Sequence, residues 1–587
     1  MTALATPREP DTLPVATPGK WLPPVLLVVA AAVWVLFVAP VDPARLDSFG
    51  LVRALHPGVL GAIALLSVGF VLELRSVAPR TWVLFGACVL AVVGIYGLPT
   101  VVEPVARLPV AWLHAGWSEY IADNGRVLTG FDARFSWPAF FALAAWVAEI
   151  AGVDATSLLG WAPPVFTGLA AIGVYAVAKA VLGKDARRAA WLAAWLYLAA
   201  NWVEQDYFSP QALAFLMYVA ALTITFRWLT RAMNASFIAP SGMNDAFIAR
   251  RRVTAAVGLV VIVCAMAPAH QVTPFALGAV LLVLAVTGRL RHRWLLAIVV
   301  LAPLTWLVLG GADYWTSHLD TLTGGVGNLS GAVRENVGAR VTGDPGRMAI
   351  LAVRFGLVGL LLVLAFAGWW RLRRPWPLGI AALVPFGLVA LQSYGGEMLL
   401  RSFLYALPLL CTLGGAALAT SLHPQHGRHE RPRLGATPWV AALLAVMSIA
   451  LVTARGGNDG YVAFRAQDVA IVEEAYRVTE PGARIASLTA YLPLRFDKVG
   501  EIKQDSLERV CPPGPRMGHC VIEQGPETVL VTAAQDDYGV LMLGLRPGWT
   551  RQVIDELVRM GSYRERARAG DAVLLIREGN QGGGAPG

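Results

Sequence analysis

Two stretches of this chain place carboxylates where their surroundings are otherwise apolar. The first, 99–136, reads PTVVEPVARLPVAWLHAGWSEYIADNGRVLTGFDARFS and carries Glu119, Asp123 and Asp132 together with His114, Arg126 and Arg134. The second is the short stretch NWVEQDYFSPQ, with Glu204 and Asp206. Acids from two loops at one membrane face could converge on a single site. There they could take a proton from a hydroxyl or hold a divalent cation such as Mg or Mn. Taken singly, each also reads as a solvated loop residue; the EQDY turn wedged between apolar runs sets the group apart. Arg401 opens the run RSFLYALPLL shortly after GGEM. Its planar, bidentate donors suit it to clamp a phosphate, with snorkelling to lipid headgroups as the alternative. His270 and Gln271 lie in the turn APAHQVTP, where the plain reading is a cap. Asp313, Tyr314 and Trp315 precede a Gly-rich stretch, TGGVGNLSGAV, that could cover a substrate. That stretch lacks the GK[ST] ending of a phosphate-binding loop, and no HExxH or GxSxG motif occurs.

What must position these residues is a membrane bundle. Of the 587 residues 56% are hydrophobic and 15% charged, against about 25% charged in soluble domains. Apolar runs long enough for about 20-residue spans fall at 21–40, 57–74, 81–98, 156–183, 189–203, 208–227, 253–268, 272–288, 294–310, 348–370, 377–393, 400–420 and 437–454. With the N-terminus inside, the cytoplasmic connections hold Arg75 and Arg80; Lys184, Arg187 and Arg188; Arg227, Arg231 and Arg250 to Arg252; Arg289, Arg291 and Arg293; Arg371, Arg373 and Arg374; and Arg428, Arg431 and Arg433. The acids collect in the alternate connections, which is the positive-inside pattern. Counting the short run 137–152, which contains Glu149, as a span would invert every later loop; it reads as an interfacial or re-entrant helix. The net charge of +9 follows from these Arg clusters and does not imply nucleic acid. The 20 tryptophans, several near span ends, read as an aromatic belt.

The expected architecture is therefore a polytopic α-helical membrane protein of about thirteen transmembrane helices, N-in and C-out. Residues 1–20 form a cytoplasmic tail, 21–454 the membrane module with a first outer loop at 99–155 and a long outer loop at 311–347, 455–577 an extracytoplasmic α/β domain, and 578–587 a Gly-rich tail. In that last domain RIASLT, TVLVTA and AVLLIR look like buried strands, and AQDVAIVEEAYRV and TRQVIDELVRMG have helical spacing. Cys511 and Cys520 bracket CPPGPRMGHC and, outside the cytoplasm, would pair as a disulfide; a zinc site with His519 is the weaker alternative, having only three soft ligands.

An acid-bearing first loop with short helices, an acid-bearing second turn, an Arg-headed late span and an outer C-terminal domain together resemble the GT-C superfamily of integral-membrane glycosyltransferases. The segments LHAGWSEYIADNGRV, FDARFSWPAFFAL and NWVEQDYFSPQALAFLMY resemble bacterial members, and RSFLYALPLL is similar to the Arg-headed helix in relatives of protein mannosyltransferases. The likeness covers roughly residues 81–420. The usual acidic pair early in the first loop is missing, Glu119 directly before Tyr120 standing nearest to it, and FSWPAF replaces the KPP motif. The resemblance implies inverting transfer of a sugar from a polyprenyl-phosphate donor to a glycan, glycolipid or protein on the outer face. Asp132 or Glu119 would then be the base and Asp206 the second carboxylate. Arg401, then Arg134 and His270, would bind the lipid phosphate, beside Tyr207 and Gln211. The alternative from another class is a transporter or flippase of lipid-linked sugars, although no inverted internal repeat is apparent.

Overall fold

The computed structural model describes residues 20–183, 185–231, 245–312, 316, 344–390, 396–422 and 435–578. Residues 1–19 and 579–587, most of the 311–347 loop, Lys184, Arg428, Arg431 and Arg433 lie outside the described residues.

A helix occupies each of the thirteen apolar runs, from Leu22–Phe37 to Thr437–Gly456. Proline sets many of the starts. Pro163 and Pro164 stand at the head of Ala162–Leu182, so this helix begins inside the 156–183 run; Pro210 opens Pro210–Ile224, where Ser209 caps the Ala212 N–H at 3.2 Å. A proline there gives up no intrahelical hydrogen bond and has its φ already set. Six helices among the described residues are long and apolar enough to cross a membrane, including Pro57–Arg75, Ala162–Leu182 and Met398–Ser421. Others are equally apolar but shorter: Leu22–Phe37 and Trp294–Leu309 have 16 residues each, about 24 Å against a hydrocarbon core of about 30 Å. The 13-residue helix Ala139–Ala151, about 20 Å long, lies over the first loop's helix Pro109–Asn124 and keeps Leu143, Trp146 and Ile150 exposed.

Met398–Ser421 is the axis of the bundle, buried along most of its length and packed between Arg187–Ala200 and Pro345–Arg371. Small residues bring these backbones together. A Cβ on Gly415 would collide with the Ala189 carbonyl, and one on Gly368 with the Leu413 carbonyl. Thr437–Gly456 packs on Pro57–Arg75, which in turn carries Leu22–Phe37.

At the end where the first loop lies, Pro109–Asn124 and Ala139–Ala151 share an aromatic core of Trp117, Phe135, Phe140 and Phe141 with Phe208 from the second turn. The C-terminal domain sits on this core, with Phe496 against Trp112 at a ring separation of 5.1 Å. Its five-stranded sheet has the order β2-β1-β3-β5-β4, with β1 Arg484–Ser487, β2 Lys503–Ser506, β3 Thr528–Val531, β4 Tyr563–Ala569 and β5 Ala572–Arg577. β2, β1 and β3 are parallel, and β5 and β4 run antiparallel to their neighbours. The three apolar strands read from the sequence are β1, β3 and β5, and the helices Ala466–Val478 and Trp549–Arg559 fall on the two helical patterns. β2 and β4 carry no apolar run because they are the edges, where charged residues face solvent. Cys511 and Cys520 form a disulfide with Cα atoms 5.6 Å apart, while His519 is exposed and faces Glu523.

Candidate active site

A cavity of about 240 Å³ opens at the loop end of the bundle. Asp206 is at its floor. The 201–209 turn joins two buried helices and points the Asp206 side chain inward, where it is only 6% exposed. Thr167 Oγ1 donates to Asp206 Oδ2 at 2.6 Å, and Arg455 Nη2 donates to Oδ1 at 3.0 Å. Arg455, the penultimate residue of Thr437–Gly456, also donates to the Asn201 carbonyl at 3.3 Å and lies over the Tyr96 ring at 4.5 Å.

The cavity wall is the first loop. After the short helix Leu98–Val102 the chain runs extended through Glu103 and Arg107 to Leu108, whose φ of +75° is rare for a residue with a side chain. Arg107 donates to Glu204 Oε1 at 2.8 Å and to Asp459, just beyond the last helix. Glu204 is itself at φ +56°, a strained backbone held by this ion pair. Glu103 is buried, with no N–H group donating to its carboxylate, and its closest polar neighbour is the Asp459 carboxyl. Burial and the Asp459 carboxylate alongside push its pKa well above the ordinary range, against the pull of Arg107. Three acids, Glu103, Glu204 and Asp206, and two guanidiniums, Arg107 and Arg455, thus line one cavity, with Asp459 bonded to Arg107. Among the described residues no three His, Cys, Asp or Glu side chains are grouped to hold a metal ion. The carboxylates are interleaved with Arg107 and Arg455, a donor set that does not fit a resident Mg or Mn.

A second polar cluster lies across the 201–211 turn. Arg401 Nη1 donates to Gln211 Oε1 at 2.9 Å and to His270 Nε2 at 3.0 Å, and Nη2 donates to Glu397 at 2.9 Å. Gln211 Nε2 and Thr273 Oγ1 reach the Tyr405 hydroxyl at 2.9 and 2.8 Å. Burial, and then the Arg401 charge, keep His270 neutral, its pKa well below the usual imidazole value. Asp206 also lines a small crevice with Ala212 and Leu404.

The sequence-derived candidates therefore separate. Asp206 and Tyr207 line the cavity, and Arg401, His270 and Gln211 meet in the second cluster. Asp132 is not among the cavity residues. It caps the turn Ala133–Ser136 and pairs with Arg134 at 2.9 Å; burial pushes its carboxyl up, but Arg134 outweighs this and lowers it. Arg134 lies over the Trp117 ring at 5.1 Å and so does not join Arg401. Glu119 accepts from the Ala155 backbone N–H, which ties the first loop to the head of the next helix. His114 is buried, donates through Nδ1 to the Phe208 carbonyl at 2.9 Å and has its pKa lowered to about 3 by burial. Four site residues had escaped the sequence reading: Glu103, Arg107, Arg455 and Asp459. Glu103 and Arg107 stand in the first loop, but as lone charges in an apolar stretch. Arg455 and Asp459 lie some 250 residues from Asp206, at the start of a different domain.

The fold is similar to those of solved structures at low sequence identity. The structure of ArnT from Cupriavidus metallidurans bound to undecaprenyl phosphate is similar with a TM-score of 0.50 at 14% identity, over 85% of this chain and 98% of that one. The Archaeoglobus fulgidus oligosaccharyltransferase in its apo form gives 0.46 at 12% identity, over 78% and 70% of the two chains. The mycobacterial arabinofuranosyltransferase AftD gives 0.45 at 15% identity, over 85% and 42%. No family model matches the sequence, and no curated protein does.

Proposed function

We propose that this chain is a membrane glycosyltransferase that moves a sugar from a polyprenyl-phosphate donor to an acceptor hydroxyl on the outer face, with inversion. The observation that carries the reading is the buried Glu103 carboxyl, set among Asp459, Arg107 and Glu204 in a cavity that Asp206 also lines and that opens at the loop end. A cavity walled by loops, not by mid-helix residues, supports transfer over transport. ArnT, whose fold this chain shares, is seen with undecaprenyl phosphate bound, which supports a lipid-phosphate donor.

Glu103 is the base. Its raised affinity for a proton makes its carboxylate form a stronger base toward the acceptor hydroxyl than an ordinary glutamate. The hydroxyl oxygen attacks the anomeric carbon, the bond from that carbon to the phosphate oxygen breaks, and polyprenyl phosphate leaves with the electron pair. Asp206, fixed by Thr167 and Arg455, orients the acceptor. The negative charge that grows on the leaving phosphate meets the guanidinium groups of the cavity, Arg107 and Arg455, with Arg401 in the neighbouring cluster to hold the lipid phosphate, and fixed charge of this kind acts most strongly in a water-poor site. Glycan, glycolipid and protein acceptors all present such a hydroxyl.

The test is transfer from radiolabelled polyprenyl-phosphate sugars in membranes carrying the wild type, Glu103→Gln, Asp206→Asn, Asp132→Asn or Glu119→Gln. Activity should fall at least about a hundredfold in Glu103→Gln, as loss of a general base requires, and strongly in Asp206→Asn. Full activity in Glu103→Gln with loss in Asp132→Asn or Glu119→Gln would move the base to that residue.

A further inference from the structure

The acid cluster contains one member that belongs to neither the first loop nor the second turn. Asp459 opens the short helix Asp459–Val462, immediately after the last membrane helix and ahead of the C-terminal domain. It is deeply buried, at 1% exposure. One oxygen accepts from Arg107 Nη1, and the Asp459 carboxyl also lies against that of Glu103. Arg107 reaches Glu204 with its other nitrogen, so a single guanidinium ties the first loop, the second turn and the head of the C-terminal domain together.

The 456–460 turn is wedged in place by glycines. A Cβ on Gly50, which has φ +59°, would strike the Gly456 carbonyl, one on Gly457 would strike Ile350, and one on Gly460 the Asp47 carbonyl. Such close backbone approach is open only to glycine. Downstream, Leu108 donates its N–H to the Val462 carbonyl at 3.3 Å, joining the Arg107 segment to the same turn. This much fixed backbone exceeds what a linker between two domains requires.

We propose that Asp459 is a positioning residue of the transfer reaction: through Arg107 it sets the place and the charge environment of Glu103, which makes the start of the C-terminal domain a working part of the active site. The inference rests on the assignment of Glu103 as the base. The charged groups that face Glu103 are Asp459, Arg107 and Glu204, and Asp459 in turn faces Arg107, Glu204 and Arg455. Removing the Asp459 charge leaves Glu103 beside Arg107 with one anion fewer, so its carboxylate form is favoured.

The experiment is the pH profile of kcat/KM, between pH 5 and 9, for wild type, Asp459→Asn, Asp459→Glu and Arg107→Lys. In Asp459→Asn the acid limb should move down by about one pH unit, the scale of a like-charge neighbour. Activity well below the limb, relative to the plateau, then rises up to about tenfold. Asp459→Glu should keep the limb where it is with a lower plateau. Arg107→Lys, whose single ammonium replaces two separately placed nitrogens, should move the limb the other way, and it carries the test if Asp459→Asn does not fold. A plateau that falls with no movement of the limb in either variant overturns the inference while leaving Glu103 as base. Undiminished activity in Glu103→Gln overturns the parent reading instead.

Discussion

The pair Arg455–Asp206 gives the sharpest energetic prediction, because both side chains are only 6% exposed and each has few other partners. Asp206 would keep the Thr167 hydroxyl if Arg455 were removed, and Arg455 would keep no hydrogen-bonded carboxylate if Asp206 were neutralised, but the Asn201 carbonyl, the Tyr96 ring and the more distant charges of Glu204 and Asp459. Stripping one partner from a buried ion pair costs about 3–5 kcal/mol, since the remaining charge is left without compensation. Arg455→Met and Asp206→Asn should therefore each destabilise the protein by roughly that amount. The ring contact, worth about 0.5–2 kcal/mol, is lost whenever Arg455 is absent. The double variant has no stranded charge, so its loss should be close to that of the worse single variant and well short of the sum. The coupling would be about 2 kcal/mol or more, the range of residues in direct contact. Denaturant unfolding in mixed micelles, followed by fluorescence of the 20 tryptophans, measures all four corners of the cycle. Additive losses, or a coupling below about 1 kcal/mol as for exposed pairs, would refute the reasoning.

Other consequences follow from the same geometry. Because the Glu103 pKa is raised in the folded protein, the base form grows as pH rises, so kcat/KM should climb with pH to a plateau; a profile flat from pH 5 to 8 would count against Glu103. His114 is held neutral down to about pH 3 in the folded state, whereas the unfolded chain protonates near about 6.5, so its stabilising effect is complete above that value and declines as pH falls from about 6.5 to 3. Unfolding of His114→Gln should show a shallower loss of stability in that window than the wild type. Arg401→Lys keeps the charge but cannot reach Gln211, His270 and Glu397 together, so the KM for the lipid donor should rise about tenfold with a smaller change in kcat. Replacing Cys511 and Cys520 by Ser releases a short loop and should cost the C-terminal domain about 3 kcal/mol, read as earlier unfolding of that domain with transfer at low temperature retained.

The bundle was legible because a run of apolar residues has one physical interpretation in lipid, and helices occur in each of those runs. Asp206 and Arg401 were legible as well, being charged residues at the mouths of apolar runs, where charge is costly without purpose. Glu103 was not, since a single acid in PTVVEPVARLP has the same local signal as a loop residue; only its burial without a donor distinguishes it. Asp132 and Glu119 stand out in the sequence for the opposite reason. Their loop is polar, and the bonds they make, to Arg134 and to the Ala155 N–H, are local fixtures of loop structure. Arg455 looks like an ordinary cation closing an apolar helix until its partner, 249 residues away, is seen beside it. In the C-terminal domain β1, β3 and β5 declared themselves by buried apolar residues, whereas the edge strands β2 and β4 are defined by their neighbours and not by their own composition.

The central claim is that this chain breaks the bond between sugar and lipid phosphate. Purified protein in liposomes, supplied with a polyprenyl-phosphate sugar and a candidate acceptor, should release free polyprenyl phosphate at the rate at which glycosylated acceptor appears, and Glu103→Gln should release neither. Movement of intact donor from one leaflet to the other, with no polyprenyl phosphate formed, would contradict the claim and identify a flippase instead.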